Sequence, residues 1–445
     1  MPTTLTAEQI VALAPDAASA TAGRALASLH KWQNLGQNDV AAWGECQGSG
    51  KAPYRVQVDL REPAFRCTCP SRKFPCKHGI GLLLLLAAHP AAVTAGAPPA
   101  WVAEWLAKRD QNAQRCAAPA AGAGAEAPPV APKRSGLPGS AAAREARVAD
   151  GLEELDRWLC DLVRQGLAPL QGRGHRFWDD MARRMIDAQA PGVARMIRDL
   201  PQIVASGEGW QSRLLERLAR IHLLIAGYRR RSMVSPDVLA EVRSRLGWAQ
   251  DQERVRAGPA VRDTWLALGQ SVTEEEKLRV QRAWLWGERT GRPALLLSFA
   301  PPGKSLERSV VVGTALDADL AFYDGIVPLR ALLVQRYSSP APIQAMPGHA
   351  TIASGLGAWA NAVARNPWLD RYFLSLTGVV PLLDGERWVV LDGEGRSVGL
   401  AVRPQQGWRL RAISGGRAIA LAGEWDGTAL MPLSAWDGDA IVCLD

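Results

Sequence analysis

The sequence is short of long apolar runs. In 445 residues the longest is Ile80 to Ala88, with consecutive leucines from Leu82 to Leu86, and it stops at His89-Pro90. A bilayer-spanning helix needs about 20 apolar residues, so this run reads as a buried helix and membrane insertion is not expected. The opening MPTTLTAEQIVALAP has no basic stretch before its apolar residues and carries Glu8 among them. A secretion signal is therefore not expected, and the reading is a cytoplasmic chain with reduced thiols.

Cysteine is scarce and unevenly placed. There are 7, an odd number. Cys67, Cys69 and Cys76 cluster, whereas Cys46, Cys116, Cys160 and Cys443 are scattered, which argues against a disulfide framework. Histidine is scarcer still at 6. His175 lies near Asp179 and Asp180, but one histidine with two acids is not a recognisable metal or catalytic set. His222, in an apolar helical stretch, reads as packed. Catalytic signatures are missing: there is no HExxH, no Gly-x-Ser-x-Gly elbow and no dinucleotide fingerprint. Pro302-Gly303-Lys304-Ser305 imitates a phosphate loop, but Ser298 stands where the first glycine is required and Pro301 and Pro302 lack N–H groups. Gly48-Ser49-Gly50-Lys51 fails too, because Ala52 follows where Ser or Thr is needed.

What remains is a globular composition, 47% hydrophobic and 22% charged, long enough for roughly three domains. The 17 tryptophans are scattered at core-like positions and read as packing. Net charge is +8. Between positions 51 and 78 seven basic residues face only Asp59 and Glu62, a net +5, which favours an anionic partner.

Along the chain, residues 6–30 read as helix with Asp16 as an N-cap, 32–50 as loop, and Tyr54 to Leu60 as an alternating strand. A helix near 100–114 places Trp101, Trp105 and Leu106 on one face. Residues 116–143 are almost all Ala, Pro and Gly and read as a linker, where proteolysis should cut first. This gives an N-terminal module at 1–115, the linker at 116–143, a helical domain at 144–292 and a β-rich domain at 293–445. Within the helical domain, Ser235-Pro236 and Gly247 bound one helix, and Ser271 with Glu274 reads as a capping box opening another. Beyond 292, residues 294–300, 309–315, 388–392, 398–402, 408–413 and 418–425 read as strands, with Asp-Gly turns and a helix over 351–365. The expected class is multidomain α+β: an N-terminal module of short β-hairpin plus helix, an all-α domain and an antiparallel β-rich α+β domain.

The strongest signal is Phe65-Arg66-Cys67-Thr68-Cys69-Pro70-Ser71-Arg72-Lys73-Phe74-Pro75-Cys76-Lys77-His78. Zinc takes four N or S ligands at tetrahedral corners. Cys67 and Cys69 lie two apart in an extended segment, so both side chains face one way. The loop bracketed by Pro70 and Pro75 returns Cys76 and His78 to that face. All four corners are then protein ligands, which marks a structural site with no open position. Three thiolates and one dication leave a net −1, and Arg66, Arg72, Lys73 and Lys77 favour the deprotonated ligands.

This segment resembles the SWIM zinc finger, whose pattern is a Cys-x-Cys pair, a spacer and a Cys-x-His pair between strands and a helix. The wider stretch from Trp32 to Leu86 looks like a bacterial branch of that family. The resemblance implies one structural Zn2+ on Cys67, Cys69, Cys76 and His78, and a module that binds DNA or a protein. It also implies a possible link to an assembly of an AAA+ ATPase and von Willebrand A-domain proteins.

Lys51, Arg55, Arg66, Arg72, Lys73, Phe74 and Lys77 are the candidate contacts to nucleic acid or partner: basic groups neutralise phosphates and an aromatic face stacks on bases. Arg213, Arg217 and Arg220 read as a solvated, ion-paired face. The expectation is a non-enzymatic adaptor. The alternative is an enzyme whose site lies in the C-terminal α+β domain and which the finger targets.

Overall fold

A computed structural model describes residues 5–48, 52–61, 64–71, 73–90, 93–117, 138–275, 278–301, 306 and 310–444. Lys51, Arg72, most of the linker and the core of the phosphate-loop imitation lie outside the described residues. The chain is mixed α+β, with three sheets and a helical bundle.

The N-terminal unit comprises α1 (Ala7–Ala12), α2 (Ala17–Arg24), β1 (Trp32–Gln37), β2 (Ala41–Cys46), β3 (Tyr54–Asp59), β4 (Ala64–Cys67), α3 (Lys77–Ala88), β5 (Thr94–Ala95) and α4 (Ala100–Ala117). Its sheet runs β4-β3-β2-β1-β5. Residues 32–50 are therefore not the loop expected. Gln33 and Asn34 face water along β1, which leaves too few apolar residues for the strand to show in the sequence. Asp16 caps α2 as read, accepting from the Ser19 N–H at 2.7 Å. Both sheet faces are covered. On one, Val56 and Val58 meet Ile80, Leu83, Ile10 of α1 and Leu13 at its C-cap. On the other, Trp43 meets Val102, Trp105 and Leu106 of α4. Val311, far along the chain, joins the first core, and Gln9 Nε2 donates to the Gly313 carbonyl at 2.9 Å.

Asp59 fastens α4 to this sheet. It is 2% exposed, and Arg61 and Arg109 donate to it at 3.0 and 3.3 Å. Asp59→Ala removes the buried carboxylate that both guanidiniums share, leaving Arg61 with Asp110 at 2.9 Å, and should destabilise the N-terminal unit by about 1–2 kcal/mol, read as a lower urea midpoint. An unchanged midpoint refutes the fastening role.

The bundle comprises α5 (Pro138–Gln165), α6 (His175–Asp187), α7 (Pro191–Val204), α8 (Trp210–Arg229) and α9 (Pro236–Leu246); the short α10 (Gln252–Ala257) packs instead, through Val255, against Ala321 and Tyr323. Ser235 and Gly247 bound α9 as read. Gly192 lets α7 meet the end of α9: a Cβ there would sit 2.1 Å from the Arg245 carbonyl oxygen. Gly192→Ala should cost about 1–3 kcal/mol by pushing backbone against backbone, measured as a fall in thermal midpoint.

Helix ends at Ala257, not at 292. Residues 260–287 form β6 (Ala260–Glu275) and β7 (Leu278–Gly287), paired antiparallel with Glu275 opposite Leu278. The capping-box reading at Ser271 is thus corrected. Val280, Trp284 and Leu285 gain burial in a sheet, and that outweighs the local helix preference of Glu274–Glu275. β8 (Pro293–Ala300), β9 (Thr314–Phe322), β10 (Arg330–Arg336) and β11 (Ala341–Pro342) complete this sheet. β9 starts where the strand expected over 309–315 should have ended.

The order is β10-β8-β7-β6-β9, and β10 also pairs with β9, so the five strands close into a barrel. β6 is long and bulged between Ala267 and Gly269; its first half pairs with β9 and its second with β7. β10 runs parallel to β8 and antiparallel to β9. Trp265, Leu285, Leu296 and Leu320 fill the interior. This is the Greek-key connectivity of an oligonucleotide/oligosaccharide-binding (OB) barrel.

The last unit comprises α11 (Ile352–Arg365), β12 (Tyr372–Asp384), β13 (Arg387–Leu391), β14 (Ser397–Gly399), α12 (Pro404–Ser414), β15 (Ile419–Trp425), β16 (Leu430–Trp436) and β17 (Ile441–Cys443), with sheet order β14-β13-β12-β15-β16-β17. The strand expected over 408–413 is helix α12. Leu410 and Ser414 are buried at helical spacing, Pro404 sits at the first turn, and Gly415 ends the helix in the left-handed region at φ 54°. The Asp-Gly turns at 426–427 and 437–438 close the two successive hairpins of β15–β16 and β16–β17. This sheet lies on the barrel, with Trp284 stacked on Phe373 at 5.3 Å.

Candidate metal centre

The β3–β4 hairpin sets Val56 opposite Cys67 and Val58 opposite Phe65. Cys67 ends β4, the chain turns, and Cys76 is the N-cap of α3. His78 lies in the first turn of that helix and is 5% exposed. The Leu-rich remainder of α3 is buried, so the site is anchored to the core rather than to a free loop.

The ligand atoms of Cys67, Cys69, Cys76 and His78 lie within 4.8 Å of one another. Nδ1 of His78 faces Sγ of Cys67 at 3.8 Å and Sγ of Cys76 at 3.9 Å. Tetrahedral zinc with Zn–S of about 2.3 Å and Zn–N of about 2.0 Å separates its ligand atoms by roughly 3.5–3.8 Å, so the cluster fits the ion closely.

The thiols are electrostatically unequal. The Cys67 thiol is pushed up, first by its hydrogen bond to Cys76 and then by burial. The Cys69 thiol is pushed up by burial. The Cys76 thiol is drawn down to about 4, by the hydrogen bond from Cys67 and then, against burial, by those from His78 and the Gly79 N–H. A helix N-terminus favours a thiolate in the same direction. Cys46 is buried nearby, with its thiol pushed up by burial, and is not part of the cluster.

Ligands and fold together define a closed Cys3His zinc finger with one structural zinc. Residues 54–87 match the SWIM zinc finger family model, and residues 143–246, spanning most of α5 through α9, match the SWIM-associated four-helix bundle domain. Among curated proteins and among solved structures, none matches the chain. Among the described residues no helix is long and apolar enough to cross a membrane.

The candidate contact residues are distributed as follows. Phe74 is 44% exposed, its ring edge-on to buried Phe65 at 6.2 Å. Arg66 and Lys77 are exposed. Arg55 donates to Glu45 at 3.3 Å and lies 5.8 Å from the centre of the Trp101 ring. Lys73 holds Asp16 at 2.8 Å, and that contact, with the Ser19 N–H, lowers the Asp16 carboxyl to about 2. Lys51 and Arg72 lie outside the described residues.

Elsewhere, His222 is not packed: its ring is 54% exposed and its Nδ1 meets Asp156 at 2.7 Å. The sequence hides this because the exposed face of α8 also carries Leu215 and Leu223. His175 opens α6, while Asp179 and Asp180 pair with Arg198 and Arg183. Arg213 donates to the carbonyls of Gly207 and Glu208. Arg217 reaches across to Asp370 in the segment before β12 at 2.6 Å, a contact no local pattern could announce.

Proposed function

We propose that the protein is a non-catalytic adaptor whose zinc-organised finger makes the partner contact. The observation that carries this reading is the finger's construction. Four protein ligands fill the tetrahedron, which leaves no corner for a substrate, and the exposed Phe74 and Lys77 lie within two residues of ligand Cys76. The net +5 of the segment favours nucleic acid as the partner, with Arg66 and Lys77 toward phosphates and Phe74 toward a base. A protein partner is the second reading, because Arg55 and Lys73 already have carboxylate partners and so contribute less free charge. An AAA+-linked assembly is the form that partner takes in this reading.

The test is titration of the zinc-loaded protein with single- and double-stranded DNA at several salt concentrations. Binding that weakens steeply with salt and falls in Arg66→Gln/Lys77→Gln supports nucleic acid. No binding at low salt moves the assignment to a protein, to be sought by co-purification with and without Phe74→Ala.

A further inference from the structure

The finger is not the only place where the fold presents a binding surface. OB barrels bind their ligands on the outer face of the second and third strands, beside the loop joining the fourth and fifth. Here those are β7, β8 and the segment 323–329. That surface is neither open nor filled. The bundle stands over it, and between them lies a cleft of about 790 Å³. It is lined by Arg282 and Leu297 of the barrel strands, by Tyr323 and Arg330, and by Arg195 and Arg245 of the bundle. The volume is in the range of small-ligand sites, which favour such domain junctions.

The cleft wall carries six arginines and five carboxylates. Three of the carboxylates already have donors. Asp370 takes Arg217 and Arg245, Glu241 takes Arg245, and Asp426 takes the Thr428 and Ala429 N–H groups and the Thr428 hydroxyl. Among the described residues Arg195 and Arg330 have no carboxylate partner; Arg330 lies over the Tyr323 ring at 4.1 Å. Two further wall residues bear buried polar atoms with no hydrogen-bond partner among the described residues, the Tyr323 hydroxyl and the Trp248 Nε1. The carboxylates of Asp199 and Asp324 also lack donors among the described residues, Asp199 lying in the field of Arg217 and Arg195, so the wall's surplus is one positive charge and two neutral donors, and buried donors without acceptors are costly. Planar guanidiniums match phosphate oxygens in particular.

We infer that this cleft is a second, finger-independent binding site, and that it takes a nucleotide unit, free or within a single strand, with Arg195 and Arg330 on its phosphate. The inference rests on the barrel's connectivity, on the cleft's position over the strand face that OB barrels use, and on the surplus donors, not on the zinc module.

The experiment uses the full-length zinc-loaded protein and a short fluorescein-labelled oligothymidylate, read by anisotropy, with ATP as competitor. The measurement is made in an Arg66→Gln/Lys77→Gln background, which removes the finger's proposed phosphate contacts: saturable binding should persist there and weaken roughly tenfold when Arg195→Gln/Arg330→Gln is added, the loss expected for charge-assisted phosphate contacts. Displacement by ATP assigns the free nucleotide, and its absence assigns the strand. Each single variant is measured as well, with zinc content and circular dichroism as folding checks. If neither probe binds saturably in the finger-variant background, or if the added cleft substitutions leave the affinity unchanged, the cleft assignment is wrong.

Discussion

Cys76→Ser should take the zinc content from one ion per chain to none. This ligand is also the N-cap of α3, so its loss touches the metal and the start of the helix together. Structural zinc contributes about 10–16 kcal/mol in isolated finger peptides, and a serine hydroxyl replaces little of a thiolate's share. Here the finger does not stand alone. Val56, Val58, Ile80 and Leu83 form an apolar core with α1 that needs no metal. The expected damage is therefore local: faster hydrogen exchange over residues 64–80, with β6 through β8 unchanged. Acid should release the ion from the native protein in the same way, since the ligands must be deprotonated to bind. Full zinc occupancy in the variant would show that Cys76 is not a ligand.

Trp368→Ala should produce the largest loss of stability outside the finger, about 3–5 kcal/mol for a buried indole. Trp368 precedes β12 in sequence, yet it is 6% exposed within the core of the bundle. Its Nε1 donates to the Arg220 carbonyl at 2.9 Å. Two residues on, Asp370 is bridged by Arg217 at 2.6 Å and Arg245 at 2.8 Å. Thermal unfolding of the variant should separate into a bundle transition and a strand-domain transition; one unchanged transition counts against this. Burial alone would raise the Asp370 carboxyl, but Arg245 and Arg217 outweigh it and hold the group below its ordinary value. A lowered carboxyl adds stability above the unfolded value near 4, and that stability is lost as pH falls through the lower folded value. Asp370→Asn should flatten this acid limb.

The metal ligands were legible because their chemistry is local: four residues of two types at fixed spacing, all within twelve positions. Helices with their own caps, such as α9 and α11, were legible for the same reason. β6 and β7 were not, because Glu274–Glu275 favours helix locally and only pairing with β8 and β9 reverses that. α12 was missed although Pro404 and Gly415 marked its ends, since Trp408, Leu410 and Ala412 also alternate as a strand would. The cleft was illegible in principle. Arg195 and Arg330 are far apart in sequence and share a wall only after the barrel closes beneath the bundle.

The contact of α1 with the segment before β9 makes the polypeptide a ring held shut without a covalent bond. Gln9 grips the Gly313 carbonyl, and Val311 sits in the same core as Ile10 and Leu83. The peptide link between residues 117 and 138 is then one of two routes joining finger to barrel. Severing it should leave two fragments that migrate together, and a pull on the finger would reach the barrel through α1.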